Sequence, residues 1–150
     1  MKTFKQMIWI LGLSCMFALL TLWIKGKPLR SHQCVPELLK ADEICLDQAL
    51  SAGAWVWVDA RPRVDWVKSG MPGSILWNLD SAEDEKAFEA EAAMRILITP
   101  QVIVYCGDES CGVSRQVADR IRSLGLGAKV LVLHGGWRAL DQAGRVGPRS

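Results

Sequence analysis

Three short runs in this sequence are apolar on both faces, and that property limits the fold more than any other. AWVWVDAR at 54–61, VIVYC at 102–106 and KVLVL at 129–133 do not alternate apolar with polar residues, as a strand with one wet face would. Strands of this kind need cover on both sides. The segments between them supply it, because they repeat with a helical period. In VSRQVADRIRSLG, Val113, Val117, Ile121 and Leu124 point to one face and Gly125 closes the helix. Over 82–96, Phe88, Ala92 and Ile96 recur at every fourth position behind a capping-box pattern from Ser81 to Asp84 and an acidic first turn. A strand-like turn through 44–46 leads to a short helix over 47–51, and PELLKADEI in the preceding segment can form another. RPRVDWVKSG reads as a helix with Pro62 in its first turn, MPGSILWN as a Pro-Gly turn and short strand, and HGGWRAL as a turn into a closing helix. Strand and helix alternate throughout. The expected class is α/β, a small parallel, doubly wound sheet flanked by helices.

One stretch does not belong to that domain. Residues 7–24, MIWILGLSCMFALLTLWI, carry no charge, no Pro and one Gly, and they raise the hydrophobic fraction of the chain to 50%. About 20 apolar residues rising 1.5 Å each cross a bilayer core of about 30 Å, so a transmembrane helix is expected here. Trp9 and Trp23 stand near its ends, where indoles suit the headgroup level. No small-residue cleavage site follows the run, and Gly12 occupies the place where a lipoprotein signal ending at Cys15 prefers Leu. Lys2 and Lys5 precede the span while Lys25, Lys27 and Arg30 follow it, a near tie under the positive-inside rule. A short basic head before an apolar run has the form of an uncleaved export signal, which favours a single-pass protein with its domain on the exported, periplasmic face. The expected organisation is a basic head at 1–6, the membrane helix at 7–24, a linker at 25–43, the domain at 44–141 and a polar tail at 142–150. Membrane lipid is then a partner through 7–24.

Net charge is +2, and no Lys/Arg stripe occurs outside the juxtamembrane segment, so nucleic acid is not expected as a partner. The five cysteines (15, 34, 45, 106, 111) include no C-x₂-C pair and the two histidines stand far apart, so neither metal nor other cofactor is expected. An odd count rules out a fully paired disulfide framework. Cys34 and Cys45 can bridge if the domain is exported; reduced, they are ordinary residues.

In open parallel sheets, ligand sites gather where strands end at their carboxyl side. Cys106 ends a doubly buried strand, and the loop CGDESCG leads into a helix. There a thiolate, or an anionic adduct of it, meets the helix's positive end and a set of backbone N–H groups. Against this stands the plain reading of Cys106 as a small buried hydrophobe.

The residues around it decide between the two. Asp59-Ala60-Arg61 after one strand, a Pro72-Gly73 turn, VIVYC before a loop and helix, and Gly135-Gly136-Trp137 near the end, in this order and spacing, resemble the rhodanese-like domain family over roughly 44–141. The resemblance implies that Cys106 is a nucleophile that takes a sulfane sulfur from a small donor or a persulfidated protein, holds it as a persulfide and passes it to a thiol acceptor. It further implies a donor site formed by Gly107, Asp108, Glu109, Ser110, Gly112 and Ser114 with Arg61, where backbone N–H groups of 107–112 solvate the persulfide without a cofactor. Ser114 is equally an ordinary first-turn Ser. Cys111, five residues on, is either a resolving thiol or an incidental small residue. His134 reads more readily as a turn residue than as a base, and Trp66 and Trp77 either pack or wall the pocket. A phosphatase's C-x₅-R is absent, since Gly112 holds the Arg position. Gly70 stands where the family's GHIPGA turn has His, and the Cys106 loop is about two residues longer than the commonest sulfurtransferase loop.

Three functions follow: a membrane-anchored sulfurtransferase or persulfide carrier, a thiol-disulfide redox module using Cys106 and Cys111, and a non-catalytic rhodanese-like binding module. Two carboxylates beside a thiolate disfavour it and repel a dianion such as thiosulfate. At about 4 Å and an effective dielectric constant of about 20 each interaction approaches about 4 kcal/mol, and loop solvent cuts it well below that. Replacing Asp108 with Asn and Glu109 with Gln should therefore raise the rate with thiosulfate severalfold at low salt, while a protein-borne donor changes little. The gain should fade as salt rises, because exposed charges are screened over about 8–10 Å; an unchanged thiosulfate rate at low salt would remove this account.

Overall fold

The computed structural model describes residues 34–107 and 112–148. The expected membrane span at 7–24 lies outside the described residues, as do Asp108, Glu109, Ser110 and Cys111. Among the described residues no helix is long and apolar enough to cross a membrane.

The three doubly apolar runs form the middle of one sheet. Its strands are β1 (Glu43–Ile44), β2 (Val56–Asp59), β3 (Ile75–Leu76), β4 (Gln101–Tyr105) and β5 (Lys129–Leu133). All pairings are parallel and the order is β1-β5-β4-β2-β3, so both outer strands are two residues long. The helices are α1 (Leu46–Ser51), α2 (Arg63–Ser69), α3 (Glu85–Ile98), α4 (Gly112–Ser123) and α5 (Gly136–Gln142). Alternate strand residues face opposite sides, and each side has its own core. Val58, Val104 and Val132 pack with Phe88, Ala92 and Ile96 of α3 and with Val117, Ala118 and Ile121 of α4. Ile103, Tyr105 and Leu133 pack on the other side with Ala49 of α1 and Leu140 of α5. The expected α/β architecture, a parallel sheet flanked by helices, is the one observed.

Three local expectations shift. The segment PELLKADEI makes only one 3₁₀ turn, Pro36–Leu38. Helix α3 begins later than the Ser81 pattern suggests: Asp84 is its cap and accepts the Ala87 N–H at 3.2 Å. The cause lies upstream, where the side chains of Asn78 and Asp80 accept the N–H groups of Asp80 and Ala82 and hold 78–82 in turns instead of helix. On α4 the buried stripe is Ser114, Val117, Ala118 and Ile121, while Val113 and Leu124 are only half-buried against the core.

Cys34 and Cys45 form a disulfide with their Cα atoms 5.6 Å apart. Cys45 is the cap of α1, and its N–H donates to the Gln48 side chain at 3.3 Å. The bridge therefore ties the segment entering the domain to the joint between β1 and α1. It closes a loop spanning 11 positions, for which chain entropy gives about 3 kcal/mol of stabilisation. Cys34→Ser should lower unfolding stability by about 2–3 kcal/mol in oxidising buffer and change little in the presence of reductant; denaturant titration of both proteins with and without dithiothreitol measures this.

Candidate active site

The carboxyl end of β4 carries Tyr105 and Cys106. Cys106 is buried, with 3% of its surface exposed, and its side chain lies on the α3/α4 side of the sheet. Its sulfur stands 3.3 Å from Oγ of Ser114, in the first turn of α4, and Ser114 is itself fully buried. A buried hydroxyl needs a partner, and this one has the sulfur within reach. The carbonyl of Cys106 accepts the N–H of Trp137 at 2.8 Å, which fastens the strand end to the start of α5.

Beneath the other side of the same strand end lies a buried ion pair. Asp59, wholly buried at the end of β2, accepts from Arg61 Nε at 3.0 Å, from a terminal guanidinium nitrogen at 2.7 Å and from the Arg61 backbone N–H at 3.0 Å. The guanidinium also donates to the carbonyls of Asp65 and Ser69, at 3.3 and 3.1 Å. It lies over Trp137 at 5.1 Å and Tyr105 at 5.9 Å from the ring centres, and the Trp137 indole donates to the Ser69 carbonyl at 2.7 Å. Arg61 thus spends its guanidinium inside the domain, and its aliphatic stem is what approaches the loop: a Cβ on Gly107 would stand 3.5 Å from Arg61 Cδ.

Tyr105 is the single tyrosine of the chain, and its hydroxyl closes a small network. It accepts the Met71 N–H at 3.0 Å and reaches Ser74 Oγ at 3.3 Å, while Trp66 Nε1 donates to that same Ser74 oxygen at 3.2 Å. Burial, and then the Asp59 carboxylate nearby, push the Tyr105 phenol far above its ordinary range, so it stays a protonated donor. The network fixes the Pro72-Gly73 turn against β4. Trp66 is accordingly a half-buried strut and Trp77, with no exposed surface, is core. Gly70 in that turn has a steric cause: a Cβ there would meet the Trp66 carbonyl oxygen at 2.6 Å.

The structure brings Cys106, Gly107 and Ser114 together, with Arg61 as their floor and Gly112 exposed at the start of α4. A second cluster, which the sequence does not advertise, flanks them. Glu43 of β1 pairs with Arg115 of α4, Arg115 also reaches Asp42 at 3.5 Å, and His134 Nδ1 lies 3.4 Å from the other Glu43 oxygen. The Arg nearest to Cys106 along the loop helix is therefore held by carboxylates. Among the described residues no group of three or more His, Cys, Asp or Glu is arranged to hold a metal ion. Tyr105 had a legible signal, since a tyrosine in a doubly buried strand must find a partner for its hydroxyl; Glu43 and Ser69 had none.

A family model described as the rhodanese-like domain matches residues 44–143. No curated protein sequence matches the chain. Among solved structures, the N-terminal domain of a Clostridium difficile 630 protein is similar with a TM-score of 0.54 and 19% identity, covering 67% of this chain and 96% of that one. A Bacillus halodurans protein is similar at a TM-score of 0.53 and 21% identity, covering 71% of this chain and 76% of its own. An Anabaena protein follows at 0.50 and 20%, covering 69% and 76%. At these identities the likeness is one of fold.

The Asp59–Arg61 pair yields a stability prediction. Removing one partner strands the other's charge in the core, which costs about 3–5 kcal/mol. Asp59→Ala should lose stability on that scale in urea unfolding, whereas a loss below about 1 kcal/mol would mean the pair is solvated like a surface bridge.

Proposed function

Because this chain belongs to the rhodanese-like domain family, we propose that it is a sulfurtransferase or persulfide carrier whose nucleophile is Cys106. The observation that carries the reading is the Cys106 sulfur at the carboxyl end of β4, 3.3 Å from the Ser114 hydroxyl in the first turn of α4. In the proposed cycle the Cys106 thiolate attacks the outer sulfur of a sulfane donor. The donor's S–S bond breaks, its remainder leaves as an anion, and Cys106 keeps the sulfur as a persulfide. A hydroxyl at hydrogen-bond distance suits this chemistry, since Ser114 can donate to sulfur in its anionic form at both stages. An acceptor thiol then takes the outer sulfur and returns Cys106 to its starting state. The donor is a small sulfane compound or a persulfidated protein, with Asp108 and Glu109 setting the preference against dianions.

The same reading places the domain on the exported face of a membrane, anchored through residues 7–24. The Cys34–Cys45 disulfide supports that placement, because such bonds persist in oxidising compartments and are rare in the cytosol.

Intact-protein mass spectrometry after incubation with several sulfane donors tests the assignment. Wild-type protein should gain about 32 Da, one sulfur atom, on Cys106. Cys106→Ser should gain none, and Cys111→Ser should still load. Loading that survives in Cys106→Ser, or disappears in Cys111→Ser alone, would move the nucleophile elsewhere.

A further inference from the structure

The sheet register sets a histidine and the proposed nucleophile at matching positions just past the ends of neighbouring strands. Val104 of β4 pairs with Val132 of β5; two residues further along each strand stand Cys106 and His134. Glu43 of β1 pairs with that same Val132. The Glu43 carboxylate reaches Arg115 of α4 with one oxygen and His134 Nδ1 with the other. Those contacts fix the side on which the imidazole lies. It is the α4 side, the one that holds the Cys106 sulfur and Ser114. The backbone locks the arrangement: the His134 N–H donates to the Ile44 carbonyl at 3.0 Å, and Trp137, three residues on, donates to the Cys106 carbonyl at 2.8 Å. Between them Gly135 adopts a left-handed φ of +75°, which turns the chain sharply after His134.

The exposures differ in a telling way. The Glu43 side chain is 8% exposed, the His134 side chain 44%. A nearly buried carboxylate 3.4 Å from Nδ1, whose oxygen also accepts the Lys40 N–H, favours the tautomer with its proton on Nδ1. Nε2 then carries the lone pair, on a side chain that is 44% exposed. This is the arrangement of a proton acceptor steered by a carboxylate. Arg115 takes up the oxygen of Glu43 that His134 does not use, and it also reaches Asp42 at 3.5 Å.

We propose that His134, positioned by Glu43, accepts the proton of the incoming thiol when sulfur is passed from Cys106. The inference rests on the persulfide reading above and adds the group that activates the acceptor. Written out, R–SH gives its proton to His134 Nε2. The resulting thiolate attacks the outer sulfur of the Cys106 persulfide, the bond between that sulfur and Cys106 Sγ breaks, and its electron pair leaves on Sγ. The proton then passes from the imidazolium to the departing persulfide. The products are R–S–SH and the Cys106 thiolate, so no external oxidant or reductant is needed.

The test times only the discharge of the full-length protein, already loaded with sulfur, by mass spectrometry on Cys106. Two acceptors are compared at neutral pH: glutathione, mostly protonated, and thionitrobenzoate, an aryl thiol already ionised. In His134→Gln, discharge by glutathione should slow on the order of a hundredfold while discharge by thionitrobenzoate stays near wild type. Glu43→Gln, which keeps the shape but not the charge, should show the same selectivity with a smaller loss. Equal slowing with both acceptors, or no slowing with glutathione, would overturn the role, because a purely structural histidine does not distinguish a thiol from a thiolate. Failure to load wild-type protein at all would count against the persulfide reading itself.

Discussion

A carboxylate with no exposed surface, at the end of a parallel strand, cannot stay charged without a partner. Asp59 is in that position, and the fold around the site is arranged to answer it. Arg61 answers first, two residues on, with both side chain and backbone. The guanidinium then has donors left over, and these draw in carbonyls from both ends of α2 and the indole of Trp137. Segments from three separate parts of the chain converge on one cation. Apolar residues of equal volume would pack here at comparable or better stability, but they would not dictate which loops meet. The pair's contribution is convergence, and Gly107, next after Cys106, rests on the result.

The carboxyl end of the sheet carries one such assembly on each side. Asp59, Arg61, Tyr105 and Trp137 occupy the side of α5, and Glu43, Arg115 and His134 the side of α4. Cys106 ends the strand beside both, with its sulfur on the side of the second. In the first assembly Asp59, Arg61 and Tyr105 are buried, with their polar atoms paired inside the domain. The second is half wet at His134. That asymmetry separates a scaffold from a surface where protons can be exchanged with solvent or substrate.

Much of this was legible in the chain. Strands β2, β4 and β5 show as apolar runs because their burial on both faces leaves no room for polar alternation, and α3 and α4 show by period. The outer strands β1 and β3 have two residues each, too few for any pattern to register. The start of α3 misled because Ser81 and Asp84 both look like caps, and side-chain turns from Asn78 and Asp80 decide between them. At the site, Asp59, Arg61, Cys106 and Trp137 stand at informative spacings. Glu43 does not, since its side-chain partners Arg115 and His134 are 72 and 91 positions away and its own segment reads as linker. Long-range pairing by charge leaves no local trace.

The shortness of the outer strands has a consequence for how the protein survives in company. QVIVY and KVLVL have the makeup of segments that add to one another across molecules: β-branched, apolar and nearly uncharged. Neither lies at an edge. Each is flanked on both sides, and the strands that meet solvent offer too little backbone to template a neighbour. For KVLVL that cover is only the two residues of β1, stapled at Cys45 to Cys34. The disulfide therefore anchors the strand that covers this flank: Cys45, one end of the bridge, directly follows Ile44, which pairs with Leu133.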